Sequence, residues 1–306
     1  MKKHEDSSIE LPITIRQMIM TVVAPIVGSF VVNFELFGTG EATINWGDGK
    51  NHQTITLSDD DTQVIGSNGV HWNVPIDCKH IYPDSSARTI TITGNVTYLG
   101  CSDNQLTSLD VSKNQALELL NCYKNQLTSL DVSNNIILKA LSCEDNKLTS
   151  LDVSKNHALE LFTCSKNQLT SLDVSNNTIM KVLSCFKNQL TSLNVSNNTM
   201  LKVLNCHENQ LTSLDVSKNT TLKVLDCSGN HLKSDALNVL FGSLHNNKIE
   251  NGTELIYSYI SGFRNVPIYL ALDPDRKSIY VNANPGADRC DRSIATNKGW
   301  VVSAPQ

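Results

Sequence analysis

Several things that other protein classes require are missing from this sequence. Its 306 residues hold no run of 18 apolar residues, and the best stretch, Met18 to Val32, is broken by Thr21, Pro25, Gly28 and Ser29, so no helical membrane span is expected. Charged residues make up 18% and aromatics 6%, and the net charge is −5. Without a basic excess, a general affinity for nucleic acid has no electrostatic support. Arginine is absent from 96–232, where 11 lysines accompany 12 acidic residues, so the bidentate phosphate fork and a favoured interface residue are both missing there. There is no Gly-rich phosphate loop, nucleophile elbow or Cys-x-x-Cys pair, and His207-Glu208 lacks the second histidine of a zinc-protease helix. The expectation is a protein that is not an enzyme and uses no cofactor or metal.

Cysteine and asparagine, by contrast, are abundant and ordered. Seven of the nine cysteines stand at 101, 122, 143, 164, 185, 206 and 227, six successive gaps of 21 residues. Apolar residues precede each by five (Val96, Leu117, Leu138, Leu159, Met180, Leu201, Leu222) and by two (Leu99, Leu120, Leu141, Phe162, Leu183, Leu204, Leu225). Asn follows by three and Leu by five, and a second block, Leu-Asp-Val-Ser-x-Asn, completes six units with Asn194 replacing Asp in the fifth. A 21-residue unit is too short to bury its own leucines, so the copies must stack. Stacking pairs the short strands in parallel at about 4.8 Å per step, giving a curved slab roughly 30 Å long. Leu and Cys then alternate inward, and the Asn three after each Cys forms a ladder that satisfies backbone groups at the corner. The cysteines lie along a line instead of converging on a point, which disfavours a metal cluster, and their parallel Cβ vectors suit disulfides poorly. They read as small core residues.

The spelling L-x-x-L-x-C-x-x-N-x-L resembles the leucine-rich repeat with Cys in the third leucine position, over about residues 96–232. It is most similar to internalin-like bacterial surface proteins. The resemblance implies a secreted or cell-surface protein, although free thiols are less typical of oxidising compartments.

Two different flanks are expected, giving a flexible segment 1–16, a β-sandwich 17–94, a solenoid 95–232 and a C-terminal α/β cap 233–306, mainly β overall. Met1-Lys2-Lys3 resembles a signal-peptide start, but Glu5, Asp6 and Glu10 follow where apolar residues should begin. Short strands are expected at 18–23, 30–37, 42–46, 53–57 and 89–93. Trp46-Gly47-Asp48-Gly49 followed by His80-Ile81-Tyr82 resembles polycystic-kidney-disease-type immunoglobulin-like domains. Asp59-Asp60-Asp61 offers carboxylates for Ca²⁺, but no regular ligand spacing surrounds it, which favours a solvated loop. After the repeats, Ser234 is expected to cap a helix burying Leu237, Leu240, Phe241 and Leu244. Strand-like 254–260 and 266–272 follow. Ile279, Val281 and Asn284 then hold the repeat frame as a degenerate eighth rung, and 290–300 closes the stack, with Gly299 ending a short helix.

On such strands the residues three before, one before and one after each Cys point outward onto the concave face. The first of these columns is apolar throughout, which fits either plain β-propensity or a binding stripe. The large outward side chains Tyr98, Leu119, Tyr123, Leu161, Phe186 and His207 are the expected partner-binding residues. The reading is a monomeric protein-binding or adhesion module that contacts a protein or cell-surface molecule. The alternative is a carbohydrate-binding or scaffold protein whose β domain recognises the ligand while the solenoid acts as a spacer.

Overall fold

The computed structural model describes residues 16–23, 29–57, 63–65, 71–73, 75–246, 278–281 and 284–302. Residues 1–15 of the expected flexible segment 1–16, the Asp59-Asp60-Asp61 run and the strands at 254–260 and 266–272 lie outside these residues.

Alternating apolar residues make β1 (Gln17–Val22) a strand that buries Met18, Met20 and Val22. The two expected strands at 30–37 and 42–46 are one continuous strand, β2 (Phe30–Asn45). It continues because the kink at Gly38 is absorbed as a register shift: a Cβ there would stand 2.0 Å from the Asn95 carbonyl oxygen, a close approach that only glycine permits. Next come β3 (Gln53–Leu57), the hairpin strands β4 (Gln63–Ile65) and β5 (His71–Asn73), and β6 (Ile76–Tyr82). Strand β7 (Arg88–Gly100) pairs with β2 and, antiparallel, with β1; β1 in turn pairs with β8 (Leu106–Asp110). The Trp-Gly-Asp-Gly and His-x-Tyr segments meet: His80 Nε2 is 3.1 Å from Asp48 Oδ2 and its ring stacks on Trp46 at 4.8 Å.

Strand β7 carries the chain across position 94 into the repeats without a break. Its last residues, Tyr98–Gly100, pair in parallel with β9 (Leu119–Asn121). Five in-register strands follow, β10 (Ala140–Ser142), β11 (Leu161–Thr163), β12 (Val182–Ser184), β13 (Val203–Asn205) and β14 (Val224–Asp226). This is a parallel, leucine-rich-repeat-like solenoid. Each ladder cysteine is fully buried and free. The helix after the repeats, α1 (Ser234–Ser243), buries Leu237, Leu240 and Phe241, with Leu244 buried just beyond it. Its N-cap is Lys233, with no side-chain cap bond, and not Ser234; Lys233 keeps extended dihedrals while Ser234 has already entered the helix. Strand β15 (Ser278–Tyr280) extends the stack beside β14, and Asn284 takes the ladder position, accepting from Leu232 N–H and donating to Cys227 O. After α2 (Ser293–Thr296), β16 (Val301–Val302) adds a ninth rung that the sequence pattern did not reveal. Lys298 Nζ reaches the Gly242 and Leu244 carbonyls at the end of α1, and Trp300, 2% exposed, seals the core.

Candidate partner-binding face

Two asparagine ladders hold the coils in register. In the first, Asn125 Oδ1 accepts from the Leu106 N–H, and there also from the Asn104 N–H, while Nδ2 donates to Cys101 O and Cys122 O; the Leu N–H and the two Cys carbonyl bonds recur rung by rung through Asn230. The second is made by the last Asn of the other block, Asn114 through Asn219, each 0% exposed, with Nδ2 donating from Asn135 onward to the Val and Asn carbonyls of the preceding coil. Together they tie each coil to the next behind the sheet that carries the outward side chains.

Three columns line that face. The apolar column does not face water as expected: Ala140, Leu161, Val182, Val203 and Val224 are 0–5% exposed and pack together as a cluster separate from the main core, with Leu119 and Tyr280 at its ends. In-register parallel pairing sets equal side chains against each other every ~4.8 Å, so a continuous apolar column closes on itself. Tyr98 heads the column, 2% exposed, with its hydroxyl donating to Glu35 Oε2 at 3.0 Å. The middle column is polar and buried from Asn121 to Asn205. There Asn121 Nδ2, Ser142 Oγ and Thr163 Oγ1 have no hydrogen-bond partner among the described residues.

The third column is the varied one. Tyr123 is half-buried, and Glu144, 1% exposed, faces Lys166 Nζ at 3.3 Å. Burial outweighs the pull of Lys166 and raises the Glu144 pKa; on the better solvated Lys166 the desolvation is outweighed by Glu144, which raises the ammonium instead. Lys166 Nζ also sits 5.7 Å over the Phe186 ring, and Phe186 stacks on His207 at 4.3 Å with 10° between planes. His207 Nδ1 lies 2.6 Å from Asn205 Oδ1 and 3.4 Å from Asp226 Oδ2. Burial opposes ionisation of Asp226, but hydrogen bonds from His207 and Ser228 outweigh it and lower its pKa.

Of the six expected residues, Phe186 and His207 are in direct contact, Tyr123 shares their column, and Tyr98, Leu119 and Leu161 belong to the apolar column. Lys166, Asn205 and Asp226 complete the constellation and were not singled out by residue type. The 21-residue frame holds the signal that finds them, since it places Phe186 and His207 at equivalent positions of adjacent rungs. The face also continues past the repeats onto β2, where Glu35 pairs with Gly100 and Phe37 with Tyr98, and onto β6, where the cross-strand pair Val31–Ile81 is exposed. Among the described residues no group of three or more His, Cys, Asp or Glu is placed to hold a metal ion, and no helix is long and apolar enough to cross a membrane.

No protein-family profile matches the chain, and no curated protein does. Among solved structures, the chain is similar to the functional domain of InlJ from Listeria monocytogenes, which includes a cysteine ladder, at 32% identity and a TM-score of 0.48, over 67% of this chain and 49% of that one. Internalin C2 from Listeria monocytogenes is similar at 18% identity and a TM-score of 0.37, over 47% of this chain and 77% of that one. The leucine-rich repeat domain of APL1B gives 20% identity and a TM-score of 0.37, over 44% and 39%. This chain thus spans about half the length of the InlJ domain.

Proposed function

We propose that the protein is a non-enzymatic binding module of the internalin-like type, at the cell surface or secreted, which contacts a partner protein through the concave face. One observation carries this reading. Across seven copies of the unit the inward Cys and Asn never change, whereas the outward position after each Cys takes five different residues: Ser, Tyr, Glu, Phe and His. The other two outward columns vary as well but stay apolar or small and polar, whereas this one mixes aromatic, acidic and imidazole side chains, a variation that packing, which constrains every copy alike, does not require. Tyr123, Phe186 and His207 supply the anchors of that column, and Tyr98, Leu119 and Leu161 form the apolar floor beside it. We take the N-terminal unit as an immunoglobulin-like sandwich, and the chain as a monomer.

The experiment is affinity capture of surface-exposed proteins with the intact chain, followed by titration of the captured partner against Tyr123→Ala and Phe186→Ala. Each substitution should leave the chain folded and weaken binding on the order of 1–2 kcal/mol. Unchanged affinity for the folded double variant removes this face from the reading and moves recognition to β2 and β6.

A further inference from the structure

The stack at the C-terminal end of the varied column is unfinished. Lys166 covers one face of Phe186 and His207 covers the other, but nothing in the same column continues the stack on the following rung. That position is Ser228, whose hydroxyl and amide turn to Asp226 Oδ1, at 2.6 and 3.0 Å, and not toward the imidazole. Two carboxylates flank the ring at its edges: Asp226 Oδ2 is 3.4 Å from Nδ1 and Glu208 Oε1 is 3.6 Å from Nε2. Their side chains are 22% and 54% exposed, and that of His207 is 21% exposed.

We propose that this end of the stack is a guanidinium site, in which an arginine of the partner lies flat on His207 above Ser228 and bonds to Asp226 and Glu208. The inference rests on the concave face being the binding face and names the chemistry it recognises. A guanidinium is planar, so it continues a parallel stack, and its N–H donors lie in its own plane, directed at carboxylates on the ring edges. A lysine ammonium can do the first only as a point charge and cannot present a fork. The chain already uses a cation on the opposite end of the stack, at Lys166. The repeats contain no arginine, so they supply no guanidinium of their own. Lys187, 3.4 Å from Glu208, is an exposed cation that a bidentate ligand displaces at little cost.

The test is an NMR titration of the intact chain with Nα-acetyl-arginine amide, and in parallel with the lysine and tryptophan amides. The arginine amide should shift the His207 ring and Ser228 amide signals at millimolar concentration, with lysine weaker by about fivefold. Asp226→Asn should weaken arginine binding about tenfold, and Ser228→Phe, which fills the slot and keeps both carboxylates, should abolish it. Asn176→Ala, exposed in the other block of the repeat, should leave it unchanged. Equal responses to lysine and arginine, a stronger response to tryptophan, arginine binding that survives Ser228→Phe in folded protein, or no shift at all would each overturn the proposal. Loss of partner binding in Tyr123→Ala together with no arginine response would sink this site alone and leave the binding face standing.

Discussion

Asn167→Ala tests how the coils are held together, because the structure assigns its amide a task that no neighbour duplicates. Asn167 Oδ1 accepts from Leu148 N–H at 2.9 Å, and Nδ2 donates to Cys143 O and Cys164 O at 3.0 Å each. The two carbonyls keep a second donor, from Asn146 Nδ2 at 3.1 Å and from Asn188 Nδ2 at 3.1 Å. Leu148 N–H keeps nothing. The loss is therefore dominated by one orphaned buried donor, about 1–3 kcal/mol, with a smaller contribution from the weakened carbonyl bonds. Asn177, in the second ladder, is more deeply buried, at 0% exposure against 8%, but its Oδ1 has no partner among the described residues and its Nδ2 reaches Val153 O and Asn156 O, which also accept from Asn156 N–H and Leu159 N–H. Asn177→Ala removes an unpaired oxygen together with two redundant bonds and should cost less than Asn167→Ala, about 1 kcal/mol. Asn176, exposed beside it, should tolerate alanine within about 0.5 kcal/mol. Urea denaturation of the three variants, with m-values compared to confirm one cooperative transition, measures the order. Asn177→Ala costing as much as Asn167→Ala would refute the claim that the accepted N–H, and not burial of the amide, sets the penalty.

Three further outcomes follow from the same geometry. Burial pushes the Cys122 and Cys185 thiols up to about 12 and raises the other five ladder thiols as well, so all seven should resist an aromatic disulfide reagent in native protein and react without prior reductant once unfolded. A native mass lower by two hydrogens per cysteine pair contradicts this. Leu141→Ala, 0% exposed in mid-array, should lose roughly 2–5 kcal/mol in the same urea assay; a loss below 1 kcal/mol would mean the stack collapses around the cavity. Asp226 and Glu144 should give opposite pH dependences. The lowered Asp226 pKa contributes stability above its unfolded value near 3.9 and loses it as pH falls through the folded value, so Asp226→Asn is most damaging at neutral pH and least at pH ~3. The raised Glu144 pKa favours the fold only while the group is protonated, so Glu144→Gln gains on wild type as pH rises. Slopes of the same sign for both variants contradict the assignment.

Much of this was readable before any coordinates because the solenoid repeats one local rule. The Cys-to-Cys interval alone determined the inward columns, the first Asn ladder and the degenerate rung at Ile279, Val281 and Asn284. What the pattern could not show depends on tertiary context. Asp103, Lys124, Asp145, Lys166, Lys187 and Glu208 adopt left-handed backbone at φ 51–57°, a conformation that suits Gly229 and is open to Asp but that Lys and Glu disfavour, so at those rungs the coil geometry imposes it. Period-2 alternation marked the apolar column as outward, yet could not tell that seven in-register copies bury one another. Strand β16, two residues long, is below what any periodicity resolves.

The two ends explain why the repeats can afford a varied face. A parallel stack exposes unpaired backbone at both edges, and each internal rung is stabilised only by its neighbours. At one end β7 is shared between the N-terminal sheet and the first rung, so its core residues Ile90 and Ile92 lie on the same strand as Leu99. At the other end α1, α2 and Trp300 close over β14 to β16. With both ends of the core covered and the inward Cys and Asn identical from rung to rung, a change at Tyr123, or at the stacked pair Phe186 and His207 taken together, leaves the inward columns of the next coil untouched. Its effect on stability should stay local, which leaves that column free to differ at each rung.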